Sequence, residues 1–318
     1  MTLMEFRQLG NSGVRVSAIG LGTNQFGGKV DQAGVNNIID AALDLGVNLI
    51  DTADVYTRGR SEETLGIALQ GKWDRVVLAT KVFGVTGEGT NDTGASRYHI
   101  MNGVDASLRR LKSDHIDLYQ IHRWDTKTPI EETLRALDDL IRQGKVRYIG
   151  ASNFAAWQLA NANALAIFRG LTPFVSIQNH YHMLEREQER EMLPYCQAFN
   201  VGMLPYFPLA GGFLTGKYER GKAAPSGSRG EDNPYVQRYM TDANYDKVEA
   251  LSAWATARDH TMAELAHAWL LAHPQVSSVI SGATRVEQVV ANAKSAGWKL
   301  TAEELEEVNA VLDGSAAQ

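Results

Sequence analysis

Four residue types that move protons or fix a carbonyl oxygen stand at the ends of three apolar runs. The stretch 47–56 reads Val-Asn-Leu-Ile-Asp-Thr-Ala-Asp-Val-Tyr, a short buried strand over 47–50 that releases Asp51 and then Tyr56 at its carboxyl end. The run 75–81 ends on Lys81, and the run 116–122 ends on His122. A free phenol loses its proton near pH 10, too high for easy exchange at neutrality. An ammonium beside it should lower that value, and a carboxylate beyond the ammonium should keep it charged and aimed, so Lys81 and Asp51 are expected to serve Tyr56. A histidine beside the phenol would orient a carbonyl or relay a proton. Such a set gives a proton to an oxygen while another agent delivers hydride to carbon. Taken singly, each residue has a plainer reading: a half-buried loop aromatic, a strand-end salt bridge, a satisfied core histidine. Metal-ligand types also occur, at Asp51, Asp54, His122, His180 and His182, but no partner pattern fixes a coordination geometry.

The elements that must carry these residues alternate along the chain. A hairpin is expected over 5–17, around the turn Gly10-Asn11-Ser12-Gly13, capping something because a lone hairpin is marginal in water. Strands then read at 18–22, 47–50, 75–81, 116–122, 145–151, 174–179, 201–205 and 276–280, with helices between them. The first helix runs from Asp31 to near Gly46. The second is read with Ser61 as its N-cap, and the fourth has Pro129 at its first position. Helices are also expected at 96–111, 154–168, 185–199, 245–258, 262–272, 286–296 and 302–312. Eight strands interleaved with helices argue for an α/β fold of the (β/α)8 barrel type. A doubly wound dinucleotide fold would need G-x-G-x-x-G, and the sequence from Gly20 to Gln25 lacks the third glycine. The stretch 211–240, with Gly-Lys-Ala-Ala-Pro-Ser-Gly-Ser-Arg-Gly inside it, reads as a lid or mobile excursion, ordered mainly when a cofactor is bound.

Bulk properties narrow the class. A chain of 318 residues with 44% hydrophobic content suits one barrel domain over 1–318. The net charge of -6 offers no basic face for nucleic acid, and no uncharged apolar run is long enough to span a membrane. A single cysteine, Cys196, allows no intrachain disulfide. The first seven residues lack a basic-then-apolar leader, so a soluble cytoplasmic protein of unspecified oligomeric state is expected.

In series, the motifs resemble the aldo-keto reductases: Arg7-Gln-Leu-Gly10, Gly20-Leu-Gly22-Thr23, Asn48 through Tyr56, Gly59-Arg-Ser61-Glu62, Ala79-Thr-Lys81, Gln120-Ile-His122-Arg, Gly150-Ala-Ser152-Asn153-Phe, Gln178, and Pro208 through Tyr218. The resemblance covers nearly the whole chain. It implies a barrel, an extended nicotinamide cofactor held without a Rossmann motif, and the tetrad Asp51, Tyr56, Lys81, His122 with Tyr56 as general acid. By the same likeness Gly22 and Thr23 lie along the cofactor. Ser152, Asn153 and Gln178 hold the carboxamide, and Tyr206 stacks on the nicotinamide. Pro208, Leu209, Gly211 and Lys217 form a pyrophosphate clasp, and Gly282 and Thr284 approach the ribose phosphate at a helix N-terminus. Arg285 faces the 2′-phosphate, with Gln288 and Asn292 on the adenine. Many relatives carry lysine where Gly282 stands, which leaves one cation to favour NADPH over NADH. Asn24, Phe26, Phe83 and Trp124 are expected to line an apolar mouth for a small carbonyl or alcohol substrate, with Tyr239 entering from the long loop. Two other classes follow from the same residues: a nicotinamide-binding regulatory subunit, since channel β-subunits also resemble this family, and a metal-dependent barrel hydrolase.

Overall fold

The computed structural model describes residues 4–314; Met1–Leu3, within the stretch read above for a leader, and residues 315–318 lie outside it. Strands β1 (Phe6–Gln8) and β2 (Arg15–Ser17) pair antiparallel, as the turn-rich tetrad requires. Eight strands follow: β3 (Ile19–Gly22), β4 (Leu49–Asp51), β5 (Val77–Val82), β6 (Ile116–Ile121), β7 (Val146–Ser152), β8 (Ser176–Gln178), β9 (Gly202–Met203) and β10 (Val279–Gly282). All pair in parallel in the order β10-β3-β4-β5-β6-β7-β8-β9. Closure comes from parallel bridges Met203–Val276 and Tyr206–Ile280, with the Ile280 amide donating to the Pro205 carbonyl at 2.9 Å. The sheet is therefore the (β/α)8 barrel that the alternation implies.

Helices α1 (Gln32–Asp44), α2 (Arg60–Ala68), α3 (Arg97–Leu111), α4 (Ile130–Arg142), α5 (Ala156–Arg169) and α6 (Met192–Phe199) pack outside the strands. Val35, Ile38, Ile39, Ala42 and Leu43 of α1 fall on one buried face, and the Asp31 carboxylate caps the helix by accepting from the Gly34 amide. Several boundaries differ from expectation, among them the last strand, expected at 276–280 and found at Val279–Gly282. Pro129 caps α4 from outside rather than opening it. The expected helix over 185–199 narrows to α6, because residues 187–189 form only a 3-10 turn. Ser61 lies inside α2, whose cap is Gly59. Its hydroxyl donates to the Thr23 carbonyl (2.9 Å) and meets Thr52 Oγ1 (2.9 Å), tying the loops after β3 and β4 together.

The long segment is not featureless. It contains a 3-10 stretch over Ala210–Thr215 and one-turn helices α7 (Arg229–Asp232) and α8 (Pro234–Gln237), before α9 (Asp242–Thr256), α10 (Met262–Leu271), α11 (Val286–Ser295) and α12 (Ala302–Asp313) complete the fold.

Side-chain alternation along the strands decides what fills the barrel. Leu49, Val77, Ala79, Leu118, Leu204 and Ile280 point inward as one apolar cluster. The hairpin seals the amino-terminal end: Leu9 and Val16 join that cluster with no exposed surface. Gly10, at φ +52°, lies so close that a Cβ there would sit 2.1 Å from the Val175 carbonyl oxygen. Two residues further along, the inward positions switch from apolar to polar at Asp51, Lys81, Gln120 and Gln178. Burial of polar groups is favourable only if they satisfy one another, and that switch marks the carboxyl-terminal end as the working face.

Candidate active site

Lys81 sits at the centre of the polar layer with no exposed surface. Its Nζ donates to Asp51 Oδ2 at 2.7 Å, to the Thr52 carbonyl at 2.7 Å and to the Tyr56 hydroxyl at 3.3 Å. Register explains the convergence. Asp51 pairs with Ala79 across β4 and β5, so Lys81 lies one pleat beyond, and Lys81 pairs with Gln120 across β5 and β6. The second Asp51 oxygen accepts from Gln178 Nε2 at 2.8 Å and Gln120 Nε2 at 3.3 Å. With both carboxylate oxygens held, the ammonium has one donor direction left for the phenol. Tyr56 is aimed by its successors: Thr57 and Arg58 adopt left-handed φ of 48° and 59°, and Thr57 Oγ1 donates to the Phe26 carbonyl at 2.6 Å. Two consecutive non-glycine residues in that region are strained backbone, which persists only where surrounding contacts hold it. The His122 ring meets the Tyr56 ring edge-on, centroids 5.9 Å apart.

The electrostatics differ in one respect from the sequence reading. Burial raises the Tyr56 phenol above its ordinary value, and the Lys81 ammonium offsets this only in part. At neutral pH the phenol therefore keeps its proton, the state a proton donor needs. Burial also works against the Lys81 charge, but Asp51 and Tyr56 outweigh it and hold the ammonium above the usual lysine range. Burial, then Lys81 and Arg123, push His122 down to about 3, so its imidazole is neutral and orients rather than supplies a proton.

Asp54, two residues before Tyr56, is buried, and among the described residues neither of its carboxyl oxygens has a hydrogen-bond partner. Burial and then the Glu62 carboxylate lift it to about 7. Its folded value lies above its unfolded one, so stability present at acid pH is lost as pH rises through about 7. The full loss is on the order of 4 kcal/mol, at roughly 1.4 kcal/mol per unit. Asp54→Asn should therefore raise the urea midpoint relative to the wild type much more at pH 8 than at pH 5; an equal difference at both would contradict the assignment.

Above this floor opens a cavity of about 850 Å³. Its walls include Asp51, Tyr56 and His122, and most of the residues that the sequence proposed for cofactor and substrate: Gly22, Thr23, Asn24, Phe83, Ser152, Asn153, Gln178, Tyr206, Pro208, Leu209, Gly211, Lys217, Gly282, Thr284, Arg285 and Gln288. The carboxamide candidates form a chain: Ser152 Oγ donates to the Gln178 carbonyl, Asn153 Nδ2 to Ser152 Oγ and the His122 carbonyl, and Asn153 Oδ1 accepts from the Tyr206 hydroxyl at 2.9 Å. One face of Tyr206 is covered by His180, stacked at 5.4 Å and 19°, while the residue also lines the cavity. Gln288 folds back so that its Oε1 accepts from the Thr284 amide at 2.8 Å.

Three expected positions are corrected. Phe26 has no exposed surface and packs in the core, contributing only its carbonyl to Thr57. Trp124 turns away from the cavity onto Phe154 (5.1 Å) and Trp157 (5.8 Å), and its neighbour Arg123 takes the wall instead. Tyr239 is buried, with its hydroxyl 3.2 Å from His182 Nε2, and fastens the long segment rather than lining the mouth. Asn292 lies one turn beyond Gln288 on α11, outside the cavity wall itself. Sequence reasoning missed Arg229, which lines the cavity from α7 and is held by no carboxylate among the described residues. Its signal was present: an arginine inside a Gly/Ser-rich stretch that the glycines bring over the cavity. Among the described residues no three side chains of metal-ligating type converge, and no helix is long and apolar enough to cross a membrane.

Known proteins share this arrangement at the level of sequence. The model of the Aldo/keto reductase family matches residues 18–313. A probable voltage-gated potassium channel subunit beta from Oryza sativa subsp. japonica is 38% identical, over 97% of this chain and 97% of its own. Versiconal hemiacetal acetate reductase from Aspergillus parasiticus is 36% identical over 95% of each chain. The uncharacterized oxidoreductase YrpG of Bacillus subtilis is 36% identical over 98% of this chain and 97% of its own.

Proposed function

The chain belongs to the aldo/keto reductase family, and on that premise we propose that it reduces aldehyde or ketone carbonyls to alcohols, reversibly, with NADPH as the preferred cofactor and NADH as a weaker one. The observation that carries the proposal is a single buried ammonium joining a carboxylate to a protonated phenol on the floor of a dinucleotide-sized cavity. The cavity fits the cofactor. Lys217, Arg229 and Arg285 supply positive charge along one side, and the Gly211 and Gly212 backbone, at φ +68° and +104°, allows close approach by a phosphate. Tyr206 offers the nicotinamide an aromatic face, and Ser152, Asn153 and Gln178 offer its carboxamide polar partners. Bound reduced nicotinamide supplies the hydride. The chain's own residues do the rest: His122 and Tyr56 orient the carbonyl oxygen, Tyr56 gives it a proton, and Lys81, held by Asp51, stabilises the phenolate left behind.

On this reading the chain is one domain over 1–318 that acts on a small carbonyl or alcohol in the cytoplasm. A second reading follows from the relatives named as channel β-subunits, a nicotinamide-binding partner subunit with weak turnover. The isolated chain with 4-nitrobenzaldehyde and each cofactor separates the two: vigorous loss of nicotinamide absorbance favours the reductase, and its absence with both cofactors favours the subunit. Arg285, at the amino end of α11, is the cation set to distinguish the nucleotides. Arg285→Ala is expected to raise the Michaelis constant for NADPH about tenfold, the scale of one charge-assisted phosphate contact, and to leave that for NADH within about twofold. Equal effects would reject the assignment.

A further inference from the structure

We propose that the carbonyl substrate is anionic, carrying a carboxylate or a comparable charged group that Arg123 receives at the mouth of the cavity. The inference rests on the reductase reading and specifies the substrate class of that same site.

Arg123 follows His122 in the bend just after β6, and both residues line the cavity. Trp124 turns outward onto Phe154, so the charged residue, not the indole, contributes to the wall. No carboxylate neutralises it among the described residues. The acidic residue nearest in sequence, Asp125, is spent on backbone and hydroxyl: its Oδ2 accepts from the Ala95 amide and Thr128 Oγ1, and its Oδ1 from the Lys127 amide, each at 2.8 Å. The Arg123 charge acts on both neighbours of the reacting position, lowering His122 and offsetting the rise at Tyr206. It therefore lies within electrostatic reach of the carbonyl site.

The surrounding charge is one-sided. On a chain of net charge -6, Asp51 is the only carboxylate among the described residues that line this cavity, and Lys81 already pairs with it. Lys217, Arg229 and Arg285 lie on segments after β9 and β10, along the side assigned to the cofactor phosphates. Arg123 lies after β6, across the barrel from them. Lys29, on the segment after β3, adds a second cation to the wall. An unpaired guanidinium presents a planar fork that matches a carboxylate by two parallel hydrogen bonds. Arg123 is exposed at the mouth, so salt screens the pair and its effect is largest at low ionic strength. A neutral substrate of equal size would leave that fork without its matching anion.

The test compares acids with their amides, which match in shape but lack charge: glyoxylate, 4-oxobutanoate and 4-formylbenzoate, each against the corresponding amide, with NADPH at low ionic strength. At least one acid is expected to exceed its amide about tenfold or more in kcat/KM. Arg123→Gln should bring that ratio to within about twofold of one, and Arg123→Lys should restore part of it. The proposal is overturned if no acid exceeds its amide, or if the ratio is unmoved in Arg123→Gln. Turnover of the amides keeps the two readings apart: amides reduced with no acid preference sink the anionic substrate alone, whereas no turnover of any compound sinks the reductase reading.

Discussion

Tyr56→Phe should lower kcat for aldehyde reduction by about 10²–10⁴-fold, the usual contribution of a positioned general acid, while NADPH affinity changes little. Lys81 spends its three donors on Asp51, the Thr52 carbonyl and, at 3.3 Å, the Tyr56 hydroxyl. Phenylalanine keeps the ring, its edge contact with His122 and the strained turn at Thr57 and Arg58, so the change removes the hydroxyl that carries the proton and accepts from Lys81, and little else. His122 offers no substitute because it is held neutral at about 3. Single-turnover kinetics with preformed NADPH complex give the comparison, since they separate the chemical step from cofactor release. Unchanged turnover would remove Tyr56 from the mechanism.

Lys81→Met should cost the fold about 3–5 kcal/mol, because it leaves Asp51 charged and buried without its counterion. The side chains of this pair are 0% and 3% exposed, so no water relieves the loss. The double variant Asp51→Asn/Lys81→Met removes both charges and should recover most of the stability, as replacement of a whole buried pair commonly does. Activity should not recover with it, since the phenolate formed in the reaction would then have no cation. Urea unfolding of the two variants checks the first claim, and turnover of the double variant checks the second. A double variant as unstable as the single one, or one with wild-type activity, would contradict the account.

What could be read from the sequence followed from its periodicities. The eight apolar runs between helical segments give a barrel because parallel strands buried on both faces are continuous in hydrophobicity, and Asp51, Lys81 and His122 were legible because each ends such a run. The hairpin was visible as a turn between alternating strands, but its role as a plug depends on Leu9 and Gly10 meeting residues nearly two hundred positions away. Positions near strand ends were harder. Phe26 and Trp124 were assigned to the mouth because they follow strands, yet a strand end does not state which way the next side chain turns; Phe26 turns into the buried core and Trp124 onto Phe154. Tyr239, in the long segment, is turned inward by its contact with His182, which the sequence does not report. The Tyr56 electrostatics required the depth of burial, which no spacing reports.

A structure of the complex with NADP tests the central claim most directly. The nicotinamide ring is expected on the free face of Tyr206, with its C4 within about 5 Å of the Tyr56 hydroxyl, so that a carbonyl bridging them would lie about 3–3.5 Å from each reacting atom. A nicotinamide lying elsewhere in the cavity, or a Tyr56 hydroxyl turned away from Lys81 in that complex, would contradict it.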